Sequence, residues 1–260
     1  MLASALAAAA AGASSPRGIG RMGVTPNILY AGSSGNQLTF TYTADSSSLR
    51  GQTLVEFPRG WTPPQRRNPS GPGYVELRAG QCAASTKILS VGVRKVTIAT
   101  TCKRHQSYQL VYSNVNAPQL TADGYVFLAL TRSAAAGRKA KFRALLPGKQ
   151  PVVKVKGGPP VRLFVQTTSV ATTGTPFSIT VRAVDAYGNN AYPYQGTVQL
   201  TSSDPAATMP AAYSYGATDV AQHTFPGAVL RTVGMQTITA TDPTTGLTGT
   251  TPPIQVVPPS

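Results

Sequence analysis

Short runs in which apolar and polar residues alternate one by one recur along the whole chain, and they constrain its fold more than any other feature. Leu38, Phe40 and Tyr42 share one face of such a run, as do Arg94, Val96 and Ile98, then Tyr108, Leu110 and Tyr112, then Tyr125, Phe127 and Ala129. A period of two places successive side chains on opposite faces of a pleated strand. Helical spacing is absent after the first fifteen residues. Gly 25 and Pro 22 punctuate the runs, and charged residues make up only 12% of the chain, about half the usual share. The expectation is an all-β fold of sandwich type. Its 260 residues suffice for two domains, each burying its own core. Arg94 on an otherwise apolar face predicts that its strand begins near Lys95.

Charge divides the chain. Residues 22–157 hold 18 Lys and Arg against Asp45, Glu56, Glu76 and Asp123, a net of +14, whereas residues 158–260 carry a net of −1. Gly157-Gly158-Pro159-Pro160 lies at this change and reads as a linker in which glycine adds freedom and proline stiffens the exit. The predicted organisation is an Ala-rich leader over 1–21, a basic β-sandwich over 22–156, a linker at 157–160, a second sandwich over 161–257 and a tail at 258–260. The leader's apolar run falls short of the roughly 20 residues a spanning helix needs. Ala11-Gly12-Ala13 suits a signal-peptidase site, although no basic residue precedes the run. A processed export signal and a plain Ala-rich leader are the two readings. No transmembrane segment is predicted.

In the second half, strands are expected from Leu163, over 177–184 and 197–201, from His223 to Leu230, over 236–241 and over 254–257, with a turn at Asp185-Ala186-Tyr187-Gly188-Asn189. The blocks Thr173-Gly174-Thr175-Pro176-Phe177-Ser178-Ile179-Thr180-Val181, Asp185 to Asn189, Thr201-Ser202-Ser203-Asp204-Pro205, and His223-Thr224-Phe225 with Gln236 to Asp242 resemble a bacterial immunoglobulin-like repeat of long surface and secreted proteins. That resemblance covers 161–257 and implies an immunoglobulin-like sandwich with an adhesive or spacer role. Pro226-Gly227 departs from the pattern and places a bulge or a sheet edge there. Gly23-Val24-Thr25-Pro26, Gly35 to Ala44, Gly60-Trp61-Thr62 and Pro72-Gly73-Tyr74-Val75 resemble a partner module that accompanies such repeats, so two tandem immunoglobulin-like sandwiches are the expected architecture.

Groups capable of chemistry are sparse. Cys82 and Cys102 flank a pair of expected strands, and in an exported chain they read as a disulfide. Cys102 and His105 are a poor start for a zinc site. Gly18-Ile19-Gly20-Arg21-Met22-Gly23 matches a dinucleotide-binding glycine pattern by letter, but no strand precedes it and no helix follows, so it reads as flexible leader. His105 and His223 fall in different modules, and Glu56 and Glu76 are the only glutamates; Glu56 suits a solvated strand face. Asp185, Asp204, Asp219 and Asp242 read as turn formers rather than calcium ligands. No enzyme, metal or cofactor is expected.

The candidate ligand patch is the Pro-rich loop that carries Arg59, Trp61, Arg66 and Arg67; a polyanion would be held by Arg59, Arg66 and Arg67 together with Arg138, Lys139, Lys141 and Arg143. An exposed Trp beside arginine stacks on sugars or bases; a lone Trp at a strand end more often closes a core. The leading functional reading is a non-catalytic extracellular structural or adhesion module. Alternatives are a polyanion- or carbohydrate-binding module acting through the basic half and an accessory region of a secreted hydrolase. The expected partners are a cell-wall polymer, a glycan or another surface protein, ahead of nucleic acid.

Overall fold

Residues 17–136 and 140–259 are described by the computed structural model, and the predicted strands emerge where period two is cleanest. Asn36–Thr43 buries Leu38, Phe40 and Tyr42. It is flanked by Arg21–Thr25 and by Ser107–Val115, whose Tyr108, Leu110 and Tyr112 point into the same interior, and Tyr74–Arg78 completes a four-stranded sheet. The facing sheet runs Arg143–Ala144, Leu128–Ser133, Leu49–Glu56, Lys95–Cys102, Lys87–Val91. Its strand begins at Lys95, and Arg94, just outside, donates from Nε to the Phe57 carbonyl at 2.8 Å. Between the sheets, Phe40 and Phe127 approach to 4.9 Å between ring centroids, and Phe57 and Tyr112 do the same at right-angled tilt. Offset and edge-on ring pairs of this kind add about 1 kcal/mol each beyond area burial.

A third small sheet pairs Ile28–Tyr30 in parallel with Val152–Lys156, which pairs antiparallel with Ala122–Val126. The second half repeats this device: Val170–Thr172 lies parallel to Ile254–Val257. There Arg162–Gln166, Phe177–Val184 and Gln222–Ala228 form one sheet, and Tyr213–Ser214, Thr197–Ser202, Ile238–Thr241 and Thr248–Thr250 form another. The fold is all-β. Its buried apolar side chains sort into two clusters, over 22–155 and 163–256, and among the described residues no sheet mixes strands from both.

Several expectations need correcting. Gln222–Ala228 is an edge strand that ends before Leu230, with the register shift at Pro226-Gly227; Gly227 adopts φ +81° there, which a side chain would resist. The single strand expected over 236–241 is two, Gly234–Gln236 and Ile238–Thr241, because the chain changes sheets at Thr237, whose N–H is taken by Ser203 Oγ at 2.9 Å. Met1 to Pro16 lie outside the described residues, but 17–21 are no free leader. Gly18 donates to the Ala144 carbonyl at 2.9 Å, Ile19 donates to Thr131 Oγ1 at 2.7 Å, and Arg21 opens a strand. A Cβ on Gly18 would stand 2.5 Å from the Arg143 carbonyl oxygen, so glycine serves close approach and not mobility.

The expected Gly linker is also packed. Gly157 and Gly158 are buried, and a Cβ on Gly157 would meet the Asn190 carbonyl oxygen at 1.9 Å. Gly158 N–H donates to Asp185 Oδ2 at 2.9 Å, and Asp185 Oδ1 accepts from Tyr187 and Asn189 N–H, each at 2.9 Å. Asn189 then reaches the first half, its Nδ2 donating to the Gln119 carbonyl at 2.7 Å and its Oδ1 accepting from Thr121 N–H at 3.4 Å. Lys156 Nζ sits 3.5 Å above the Tyr192 ring, which also stacks against Tyr30. The turn at Asp185 is thus a clasp between the two cores.

Candidate functional site

The loop after Leu49–Glu56 is built around its aromatic residue. Trp61 is 6% exposed and meets Phe127 and Tyr125 edge-on at 4.9 and 5.6 Å. It therefore closes the core and offers no ring face to a ligand, which removes it from the expected patch. The physical reason is that Tyr125 and Phe127, remote in sequence, supply the apolar wall that an exposed loop would lack. Tyr112 Oη donates to the Thr62 carbonyl, and Thr62 Oγ1 accepts from Asn116 N–H at 2.9 Å. These contacts leave Arg59, Arg66 and Arg67 exposed on a fixed loop.

Gln65 organises the tip. Its Oε1 accepts from the N–H groups of Arg67 and Asn68 at 2.7 and 2.9 Å, and its Nε2 donates to the Asn68 carbonyl at 2.8 Å. The second basic stretch is elsewhere. Lys141 and Arg143 are exposed, with Arg143 on one edge strand of the five-stranded sheet, whereas Lys87–Val91 forms the opposite edge beside Arg66 and Arg67. Four strand spacings separate those edges, about 19 Å. Arg138 and Lys139 lie outside the described residues. Phe142, between Lys141 and Arg143, carries the Arg132 guanidinium at 4.7 Å, a cation–π pair that alternation alone does not disclose.

The first half's charge is poorly compensated. Of its four acids, Glu56 pairs with Lys95, Glu76 with Arg78 and Asp45 with Lys149, at 2.7–2.8 Å. The Lys149 hydrogen bond holds the Asp45 carboxyl below its ordinary range. Among the described residues, no acid pairs with Arg59, Arg66, Arg67, Lys141 or Arg143.

The remaining candidate groups have structural partners. Cys82 and Cys102 form a disulfide. His105 takes a left-handed turn conformation at φ 68°, and His223 stacks on Tyr213 with centroids 3.4 Å apart. The aspartates each hold their own turn: Asp204 accepts from Ala206, Arg231 and Thr232 N–H and from Thr232 Oγ1, and Asp242 from Thr244, Thr245 and the Tyr194 hydroxyl. Burial opposes ionisation of Asp204, yet these hydrogen bonds outweigh it and hold the carboxyl at about 2. Asp185 and Asp242 are lowered by the same balance. Among the described residues no three His, Cys, Asp or Glu gather as metal ligands, and no helix is long and apolar enough to cross a membrane.

No family model matches the chain, and no curated protein matches its sequence. Among solved structures, it is similar to the Yersinia pseudotuberculosis adhesin InvE at 12% identity, over 91% of this chain and 58% of that one, with a TM-score of 0.30. It is similar to the Escherichia coli adhesin FdeC at 13% identity, over 92% and 64%, with a TM-score of 0.32. A marsupial T cell receptor is similar at 13% identity, over 92% and 98%, with a TM-score of 0.35. The chain spans less than two thirds of either adhesin's length.

Proposed function

We propose that this chain is a non-catalytic structural or adhesive segment of an extracellular or cell-surface bacterial protein, composed of two sandwich modules over 22–156 and 161–257. The clasp between the cores carries this reading. Asp185 spends its carboxylate on orienting Gly158, Tyr187 and Asn189, and Asn189 bonds across to Gln119 and Thr121. A buried carboxylate so fully engaged stiffens a joint, which suits a part that holds something at a fixed distance. Small-angle scattering of the intact chain tests it: a single narrow distribution of end-to-end distances is expected, broadened by Asn189→Ala. A broad distribution in the unaltered chain would sink the spacer reading.

A second reading, polyanion or glycan binding by the basic module, draws on the unpaired arginines of its two edges. Titration with heparin should then show affinity falling steeply as salt rises, because sulfate neutralisation releases counterions. Affinity insensitive to salt, or no binding at low salt, would dismiss it.

A further inference from the structure

A groove of about 600 Å³ runs along the open side of the first core, between the loop 64–67 and the segment 88–93. Its two banks are each joined to a sheet edge. Tyr74–Arg78 ends the four-stranded sheet and Lys87–Val91 ends the five-stranded one. Gln65 is fastened to the first of these, donating its N–H to the Gly73 carbonyl at 2.8 Å and accepting from Val75 N–H at 2.9 Å. The loop that presents Arg66 and Arg67 is therefore an extension of that sheet, already ordered before any partner arrives.

The opposite bank is equally fixed. Lys87–Val91 pairs on one side with Lys95–Cys102, and among the described residues no strand takes its other side. The Cys82–Cys102 disulfide anchors the segment leading into it. Ile88 and Val91 pack against the core, whereas Leu89 and Val93 are 47% and 77% exposed. Edge strands that must stay single are normally covered or charged, and an exposed apolar pair beside an open edge invites strand addition.

We propose that this groove receives an extended acidic peptide segment of another protein, which adds as a strand to Lys87–Val91. Its backbone amides would pair with the open edge, its apolar side chains would cover Leu89 and Val93, and its carboxylates would meet Arg66, Arg67 and Lys87. Charge complementarity selects this occupant. The surrounding half has 18 basic residues and four acids, three of which are already in ion pairs. A second copy of this chain would bring like charges together at the same edge. A sulfated polysaccharide would satisfy the arginines but lacks the alternating donors and acceptors that an open edge pairs with. Because both banks are held in place, little ordering opposes binding. The inference goes beyond the spacer reading and does not depend on it.

Selection of a random peptide library on the intact chain tests the proposal, with amide hydrogen exchange as the structural readout. Enriched peptides should alternate apolar with acidic residues and should slow exchange in Lys87–Val91. Arg66→Glu combined with Arg67→Glu should weaken the best peptide about tenfold or more, and so should Leu89→Asp, which puts a like charge on the exposed apolar side chain and leaves the backbone intact. The proposal is overturned if enriched peptides are not acidic, if protection falls elsewhere, or if the variants bind unchanged. It is equally overturned if heparin alone protects the same amides, or if protection grows with protein concentration in the absence of peptide, which would assign the groove to a second copy.

Discussion

Asp204 shows how a single residue sets the acid limit of the second core. Its carboxyl is held at about 2 against an ordinary 3.8, so the folded state binds its proton less readily than the unfolded chain does. The resulting stability is complete above about pH 4 and is lost as pH falls toward 2. Asp185 and Asp242, also lowered, act in the same direction. Thermal unfolding followed from pH 5 to pH 2 should show a steep fall in midpoint, and Asp204→Asn should lower the midpoint at pH 5 while flattening the slope. Trp61 makes the complementary case for an apolar residue. Replacing it with alanine should cost about 4 kcal/mol, read by denaturant unfolding, while leaving heparin affinity unchanged; a selective loss of affinity at constant stability would restore it to a binding role. Turn-forming aspartate was legible from Asp204-Pro205 and Asp185 to Asn189, because an Asx turn is local chemistry. The burial of Trp61 was legible as the usual fate of a lone Trp at a strand end, but its walls were not, since Tyr125 and Phe127 lie more than sixty positions away.

At the scale of elements, the hairpin of Lys87–Val91 and Lys95–Cys102 is the most instructive. Its strands could be read from Val96 and Ile98, and its disulfide from the two cysteines that flank it. What could not be read is that this hairpin ends a sheet, because strand order depends on pairings between distant segments, such as Leu49–Glu56 with Lys95–Cys102. The same blindness left open how Arg66 and Arg67 lie relative to Arg143, which the sheet order puts at the opposite edge. It also turned Gly157-Gly158 into a hinge, when the Asn190 carbonyl that demands glycine there is over thirty positions on. The disulfide closes a loop of 20 residues, for which chain entropy gives about 3 kcal/mol. Reduction with the Cys82→Ser, Cys102→Ser variant as reference should lower unfolding free energy by about that amount and speed exchange first in Lys87–Val91. An unchanged unfolding midpoint would show that the hairpin is held by its ladder alone.

For the whole molecule, the two halves divide labour by charge as well as by core. The basic half carries the open edge at Lys87–Val91, and the near-neutral half contributes the Asp185 clasp. One further property follows from the way each core begins and ends. Ile28–Tyr30 lies parallel to Val152–Lys156, and Val170–Thr172 lies parallel to Ile254–Val257. When tension is applied to the two ends of the chain, strands paired in this sense are dragged past one another lengthwise. Every hydrogen bond in the pair is then loaded together, whereas an antiparallel hairpin pulled from its open end gives way one bond at a time. Each core thus carries a shear-loaded pair between an early strand and its last one, inside the antiparallel strands Arg21–Thr25 and Arg162–Gln166 through which the chain enters.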